Sequence, residues 1–198
     1  MSRHIGYLFI APAFVILFFT SIYPVAFSFY FSFFDWNWGN QENFIGLDNY
    51  LFLLTDPEFW TVIYNTFVFA SVSCFLEVTI GIILAIFVDR IVFCSTIIRT
   101  ILILPLMVSG IIVSMISKIM FNNLFGVIPY GLKQIDIRSS FFGSTEAAMP
   151  TLIGVDVWWQ TSFVFIIILA ALQGIPNDTV EAAKIDGASE WDITRFIR

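Results

Sequence analysis

Long apolar stretches alternate with short polar ones along this chain of 198 residues. Four stretches have the length and character of membrane spans, at residues 7–34, 59–88, 96–120 and 150–172. A helix rises about 1.5 Å per residue, so it needs about 20 apolar residues to cross a hydrocarbon core of about 30 Å. The pattern therefore predicts an all-α membrane protein built on a bundle of four transmembrane helices.

The composition supports this interpretation. Hydrophobic residues make up 59% of the chain and charged residues 12%, whereas soluble domains carry roughly 25% charged residues. The first apolar stretch is longer than a signal-peptide core of about 7–15 residues, so we expect it to remain as a span. The net charge of −6 argues against a basic surface for nucleic acid.

The distribution of basic residues predicts the orientation in the bilayer. Loop 35–58 carries five acidic residues and no basic one. Most of the basic residues instead flank the opposite ends of the spans: Arg3, Arg90, Arg99, Lys184, Arg195 and Arg198. Because cytoplasmic loops are enriched in Lys and Arg, we expect the N-terminus and the final segment to be cytoplasmic. Loops 35–58 and 121–149 are then extracytoplasmic.

Three prolines lie inside the predicted spans, Pro12 and Pro24 in the first and Pro105 in the third. A proline within a helix removes one backbone hydrogen bond and bends the helix. Neighbouring helices or water can satisfy the carbonyl that is left. Two interpretations stay open: a bend that serves packing, and a hinge in a moving bundle.

The most polar part of the chain, residues 176–198, follows the fourth span directly. Asn177 or Asp178 is suited to cap a first short helix, because such side chains accept the free amide hydrogens of a first turn. Gly187 is suited to end that helix in the left-handed conformation. The segment is therefore predicted to form a helix–turn–helix, which we call the elbow (residues 176–198).

The second helix of the elbow begins with a capping signal. Ser189 and Asp192 have the spacing of a variant capping box. One alternative is an amphipathic helix that rests on lipid, but such helices are rich in Lys and Arg. Acidic residues outnumber basic ones in the elbow, which favours docking to a protein partner.

The stretch "EAAKIDGAS" in the elbow resembles the EAA loop of permease subunits of binding-protein-dependent ABC importers. The matching residues are Glu181, Ala182, Ala183, Asp186, Gly187 and Ala188. Other stretches resemble the sugar-importer branch of that family: "LFIAPAFVILFFTSIYPVAFSFYFSFFDW", "NFIGLDNYLFL", "FWTVIYNTFVFA" and "RTILILPLMVSG". A departure is Ser109, where the family often has a second proline.

The resemblance implies a subunit of an ATP-driven importer in the cell (inner) membrane of a bacterium or archaeon. The elbow would be the coupling helix that inserts into a groove of an ABC ATPase dimer. The other implied partners are a second permease subunit, an extracytoplasmic solute-binding protein and a carbohydrate-like solute. Family members continue into two further spans, giving six helices, so we expect this chain to be C-terminally truncated.

Chemistry within the chain itself is not expected. The sequence contains no G-x-x-x-x-G-K-[ST] phosphate loop, which fits a subunit whose ATP is bound by a separate chain. The single histidine, His4, precedes the first span and has no plausible nucleophile near it, so no Ser-His-Asp arrangement is expected. No His, Cys and Asp cluster has the spacing of a metal site either. The sequence therefore predicts a transport subunit that is not an enzyme and holds no cofactor or metal.

Five residues within the spans are candidates for lining the pathway. Glu77 lies near the middle of the second span, where a lone carboxylate is costly unless it is paired, hydrated or protonated. It either faces the pathway or forms a structural hydrogen bond within the bundle. Asp156, Trp158, Trp159 and Gln160 lie in the outer part of the predicted fourth span. One interpretation is that these residues line a path for sugars. The alternative is that the two tryptophans anchor the helix at the membrane interface.

A second class of function is an ion-coupled secondary transporter or channel without an ATPase. Such a protein uses charged groups within the membrane to bind coupling ions, and Glu77 alone is weak support for that. The ion-coupled interpretation also leaves the EAA match unexplained. Within the importer interpretation, an amino acid, a polyol or glycerol phosphate remains an alternative to a sugar.

Overall fold

A computed structural model describes residues 3–36, 43–91, 94–135 and 141–197. Arg198, the last residue of the predicted elbow, lies outside them. The helices are α1 (Arg3–Leu17), α2 (Tyr23–Phe31), α3 (Asp48–Thr55), α4 (Pro57–Arg90), α5 (Ser95–Ile103), α6 (Gly110–Met120), α7 (Val127–Lys133), α8 (Thr145–Gln173), α9 (Asn177–Ile185) and α10 (Glu190–Phe196). Two short strands, β1 (Phe34–Asp35) and β2 (Asn43–Phe44), pair antiparallel. The predicted all-α membrane fold is confirmed.

The chain divides into two compact units, Met1–Asn65 and Thr66–Arg198. In the first unit a π-helical turn, Phe18–Ile22, joins α1 to α2 without a gap. Pro24 sits in the first turn of α2, where its missing N–H removes a hydrogen bond from the turn before it. A π-helical turn is one of the usual ways in which a helix absorbs such a defect.

The loop between α2 and α3 is held by side chains as well as by the strand pair. The Asn49 amide donates to the carbonyl oxygens of Ser32 and Phe34 at 2.9 and 3.1 Å. The Ser32 and Tyr50 hydroxyls are 2.6 Å apart. These bonds fasten the start of α3 to the end of α2.

Three helical segments are long and apolar enough to cross a membrane: Phe9–Phe31, Pro57–Arg90 and Thr145–Gln173. They correspond to the predicted first, second and fourth spans, although α8 begins five residues earlier than the predicted start at 150. Ser144 explains that start, because its hydroxyl caps α8 by accepting from the Ala147 amide at 3.2 Å.

The predicted third span, 96–120, is not one straight helix. Helix α5 ends in a 3₁₀ turn, Leu104–Met107, and α6 leaves that turn at an angle of 93°. Pro105 lies within the turn, and the lack of an amide hydrogen there prevents α-helical bonding from continuing. We call α5, the turn and α6 the broken span. If the broken span is counted as one span, the described residues contain four spans.

Small residues allow α4 and α8 to pack closely in the second unit. Ser73, Gly81, Ala85 and Val88 are buried along one stripe of α4. A Cβ atom added at Gly81 would lie 2.6 Å from the Val164 Cγ1 atom of α8. Close approach at small residues is a common way for helices to associate in membranes, where the hydrophobic effect contributes little.

Candidate functional site

The turn of the elbow is a Schellman motif built from residues of the EAA stretch. Gly187 has a φ of +84°, a conformation that costs a residue with a Cβ roughly 1–2 kcal/mol. Its amide donates to the Lys184 carbonyl at 3.1 Å, and the Ala188 amide donates to the Ala183 carbonyl at 3.0 Å. Both bonds satisfy carbonyls at the end of α9. The left-handed conformation predicted for Gly187 at the end of this helix is confirmed.

The capping box predicted at the second helix is also present. The Asp192 amide donates to the Ser189 hydroxyl oxygen at 3.2 Å, and the Ser189 amide donates to the Asp192 carboxylate at 3.1 Å. Hydrogen bonds from the Ser189 side chain and then from its backbone hold the pKa of Asp192 below its ordinary value. The start of α10 is therefore fixed by local contacts.

The cap predicted for the first helix of the elbow is wrong. Pro176 occupies the N-cap position with φ −60° and ψ 134°, and Asn177 and Asp178 are the first two residues inside α9. The proline ring fixes φ at a value that allows the chain to turn into the helix without a side-chain cap. Asp178 remains favourable there, because an acid in a first turn complements the helix dipole.

The EAA residues divide into those that build the turn and those that face outward. Ala183 and Ala188 are half-buried where the turn closes, whereas Glu181, Ala182 and Asp186 are exposed. Three large apolar side chains of the elbow are also exposed: Ile185 at 86%, Trp191 at 71% and Phe196 at 74%. The elbow thus presents carboxylates and apolar side chains together.

The second helix of the elbow is attached to the end of α4. Ile193 on α10 is only 1% exposed. Beside it, the Arg90 guanidinium donates to the Thr194 hydroxyl. This bond joins the last residue of α4 to α10, so the elbow is fixed to the bundle at a second point beyond its covalent link to α8.

Four of the five candidate pathway residues lie nearer the middle of their helix than the sequence predicted, while Glu77 lies near the middle of α4 as expected. Because α8 begins at Thr145, Asp156 to Gln160 occupy the middle of this helix rather than its outer part. The Glu77 carboxyl interacts with that of Asp156. The sequence offered no basic partner for Glu77, and its neighbour is a second acid.

The two neighbouring tryptophans have different surroundings. The Trp159 indole donates to the Val108 carbonyl at 3.1 Å, and its ring covers Gly110, where an added Cβ would lie 2.8 Å from the Trp159 Cη2 atom. Trp158 is 57% exposed and lines two cavities of about 550 and 360 Å³. Trp159 therefore contacts the bend of the broken span, whereas Trp158 faces open space. Gln160 is half-buried.

A polar residue that the sequence analysis missed faces the smaller cavity. Thr161 is 7% exposed and lines this cavity together with Pro105 and Trp158. Its hydroxyl oxygen is buried without a hydrogen-bond partner among the described residues. Threonines are common in packed helices, so the sequence alone gives no signal for such a site. In the described part of the chain, no group of three His, Cys, Asp or Glu residues could hold a metal ion.

Residues 77–198, which include the α4–α8 contact, the broken span and the elbow, match the family model described as "Binding-protein-dependent transport system inner membrane component". The chain belongs to this family. Its members are transport components of the inner membrane, and the matched region contains the whole EAA stretch.

The names of individual relatives agree with this family assignment. A probable ABC transporter permease protein of Sinorhizobium fredii is 33% identical over 96% of this chain and 62% of its own length. A probable starch degradation products transport system permease protein of Thermoanaerobacterium thermosulfurigenes is 36% identical over 96% of this chain and 65% of its own length. The chain thus spans less than two thirds of the length of these permeases.

A solved structure has the same fold. It is a bacterial alginate ABC transporter in complex with an alginate pentasaccharide-bound periplasmic protein. One of its chains matches with a TM-score of 0.81 and 25% identity, over 97% of this chain and 65% of that chain. The likeness extends over almost all of this transport component.

Proposed function

We propose that this chain is a membrane permease subunit of an ATP-driven importer for a carbohydrate-like solute, working by alternating access. The elbow carries the proposal, since its EAA residues form a rigid, outward-facing turn at the end of a membrane helix. The permease for starch degradation products and the alginate transporter support a carbohydrate substrate. The basic residues at the span ends support a cytoplasmic N-terminus and elbow.

In this proposal the elbow docks into a groove of an ABC ATPase dimer. Glu181, Ala182 and Asp186 are exposed and supply the contact surface, while Gly187 and Ala188 hold its shape. Closure of the ATPase dimer on ATP would push the elbow and switch the helices from inward-facing to outward-facing. A second permease subunit would complete the pathway, and an extracytoplasmic solute-binding protein would deliver the solute.

An ion-coupled transporter without an ATPase is the less favoured alternative. It needs ion-binding charges within the membrane, and the neighbouring carboxyls of Glu77 and Asp156 are the feature that would suit it. It gives no reason, however, for the family match through the elbow.

Co-purification tests the docking. The full-length permease and the ATPase encoded beside it are expressed in membranes, either native or with Glu181→Lys and Gly187→Asp together. We expect the ATPase to co-purify with the native elbow and not with the double variant. A double variant that retains the ATPase and supports full uptake would refute docking through the elbow.

The pathway residues are tested by uptake in the same full-length transporter. We propose that Glu77, Asp156, Trp158, Trp159 and Gln160 line or support the pathway. Trp158→Ala and Gln160→Ala are expected to change substrate preference among oligosaccharides of different length. If the preference and the uptake rate both stay unchanged, these two side chains do not line the pathway.

A further inference from the structure

The end of α8 is held to the broken span by one arginine and by apolar packing, since Ile98 and Leu102 of α5 pack against a buried cluster that includes Leu172 of α8. With the Gln173 amide oriented to accept, its oxygen lies 2.9 Å from the Arg99 Nη1 atom and 2.8 Å from Nη2. Gln173 is the last residue of α8, and Arg99 lies in the middle of α5. Two donors of a planar guanidinium on one acceptor fix orientation as well as distance.

The position of Arg99 also suits the electrostatics of α8. The C-terminal end of a helix carries partial negative charge, which a cation in or near the last turn stabilises. The last turn of α8 contains no basic residue, so α5 supplies the cation across the contact. The Arg99 side chain is half-buried, which keeps its bonds to Gln173 partly shielded from water and salt.

The contact between Arg99 and Gln173 lies next to the start of the elbow. Three residues, Gly174 to Pro176, separate Gln173 from α9. On the other side, Arg90 ties α10 to the end of α4. The elbow is therefore linked to α8 by the chain itself, to α4 by Arg90, and to the broken span through Gln173 and Arg99.

We propose that Arg99 is a positioning residue that makes α5 move with the end of α8, so that a push on the elbow reaches the bend of the broken span. This rests on the proposed function, because the push comes from the ATPase. Helix α5 leads directly into the turn that contains Pro105 and is contacted by Trp159. Without the contact, α5 would still be linked to α8 by apolar side chains, but these fix neither register nor orientation, so α5 could lag behind α8.

The test is a double-mutant cycle in the complete transporter, reconstituted in proteoliposomes with its ATPase, second permease subunit and solute-binding protein. The variants are Arg99→Met, Gln173→Met and the two together. Each is assayed for solute uptake and for ATP hydrolysis in the same vesicles. Thr100→Val is the matched control, because Thr100 is the exposed neighbour on α5 and bonds only to its own helix, at the Thr96 carbonyl.

We expect each single variant to lower solute transported per ATP hydrolysed about tenfold, within the usual range of coupling between sites. The double variant should be no worse than either single one, because both remove the same contact. Arg99→Lys should keep part of the coupling, and Thr100→Val should behave as the native protein.

Two results overturn the proposal. If the losses in the single variants multiply in the double variant, the side chains act independently. If uptake and hydrolysis fall together in proportion, Arg99 serves assembly and not transmission. Failure of the proposed function looks different, since the native transporter itself would then show no ATP-dependent uptake.

Discussion

Helical structure is interrupted in two ways in this molecule. Between α9 and α10 the chain turns through Gly187, and every key bond of the turn comes from residues within the elbow. In the broken span the helix is interrupted at Pro105, and the Val108 carbonyl is satisfied by Trp159, 51 residues away in the sequence. The first break is local and the second is tertiary.

The difference follows from the surroundings of each break. An exposed turn can share its polar groups with water, so a glycine and a capping serine suffice. A break among apolar helices leaves carbonyl groups with no water to bind them, and each such group is costly. A neighbouring helix must then supply the donor. The turn of the elbow should therefore hold its shape through its own bonds, although α10 is also attached to α4, whereas the bend depends on α8.

Removing the Trp159 side chain, which donates to the bend of the broken span, should have the largest effect on stability. Trp159→Ala deletes the donor to Val108 and the ring over Gly110. We expect a loss of about 3 kcal/mol of stability, the lower end of the range for large aromatic residues because the side chain is only half-buried. Thermal unfolding of the purified permease in detergent measures this.

Trp158→Ala is the control for that experiment, because the neighbouring tryptophan is 57% exposed. It should lower stability much less. Equal losses at the two positions would mean that the contact with Val108 does not stabilise the bend.

Trp159→Phe separates the hydrogen bond from the packing. The ring still covers Gly110, but the Val108 carbonyl is left without its donor. A buried acceptor without a partner costs about 1–3 kcal/mol, so this variant should fall between the native protein and Trp159→Ala. Hydrogen exchange should increase selectively in residues 104–113. A uniform increase over the whole bundle would contradict a local role.

The contrast between the two breaks also explains what the sequence could predict. Gly187, Ser189 and Asp192 are close together in the chain, so the turn and the capping box were predicted correctly from spacing alone. The EAA match likewise depends on a single short stretch. The cap predicted at Asn177 or Asp178 was wrong because the helix begins one residue earlier, directly after Pro176, whose fixed φ turns the chain into α9 without a side-chain cap.

Most features that the sequence missed depend on contacts between distant segments. Pro105 indicated a bend, but its angle of 93° depends on how α8 supports it. The pairing of Glu77 with Asp156 requires the register of α4 against α8. One miss is local: Asp156 lies nearer the middle of its helix than expected, because the capping residue Ser144 lies outside the apolar stretch that defined the predicted span.

A smaller effect is expected from Gly187→Ala in the elbow. A Cβ at a φ of +84° is strained and should destabilise the turn by about 1–2 kcal/mol, although no neighbouring atom lies within 4 Å of the added carbon. The amides of residues 184–192 should exchange faster, and less ATPase should co-purify.

Gly46→Ala is the matched control for Gly187→Ala. Gly46 has a φ of +61° and likewise has no atom within 4 Å of an added Cβ, but it lies in the first unit, between β2 and α3. Its replacement brings similar strain without touching the elbow. If Gly46→Ala reduces ATPase association as much as Gly187→Ala does, general destabilisation explains both losses.

The smallest effect concerns the capping box. Ser189→Ala removes the hydroxyl that accepts from the Asp192 amide and should destabilise the start of α10 by about 1 kcal/mol. Faster exchange of the first amides of α10, with α9 unchanged, would be the expected result. If those amides are protected equally in the variant and in the native protein, the cap is dispensable.

The same box makes the start of α10 sensitive to acid. The Ser189 side chain, followed by its backbone amide, holds the pKa of Asp192 below the ordinary value of 3.8. A lowered pKa in the folded elbow means that the carboxylate stabilises it above pH 3.8, and that this contribution is lost as the pH falls through the lowered value. A carbon-13 titration of the Asp192 carboxyl should give a midpoint below 3.8, and Ser189→Ala should raise it. A midpoint that the substitution leaves unchanged would show that the hydrogen bonds from Ser189 do not control this carboxylate.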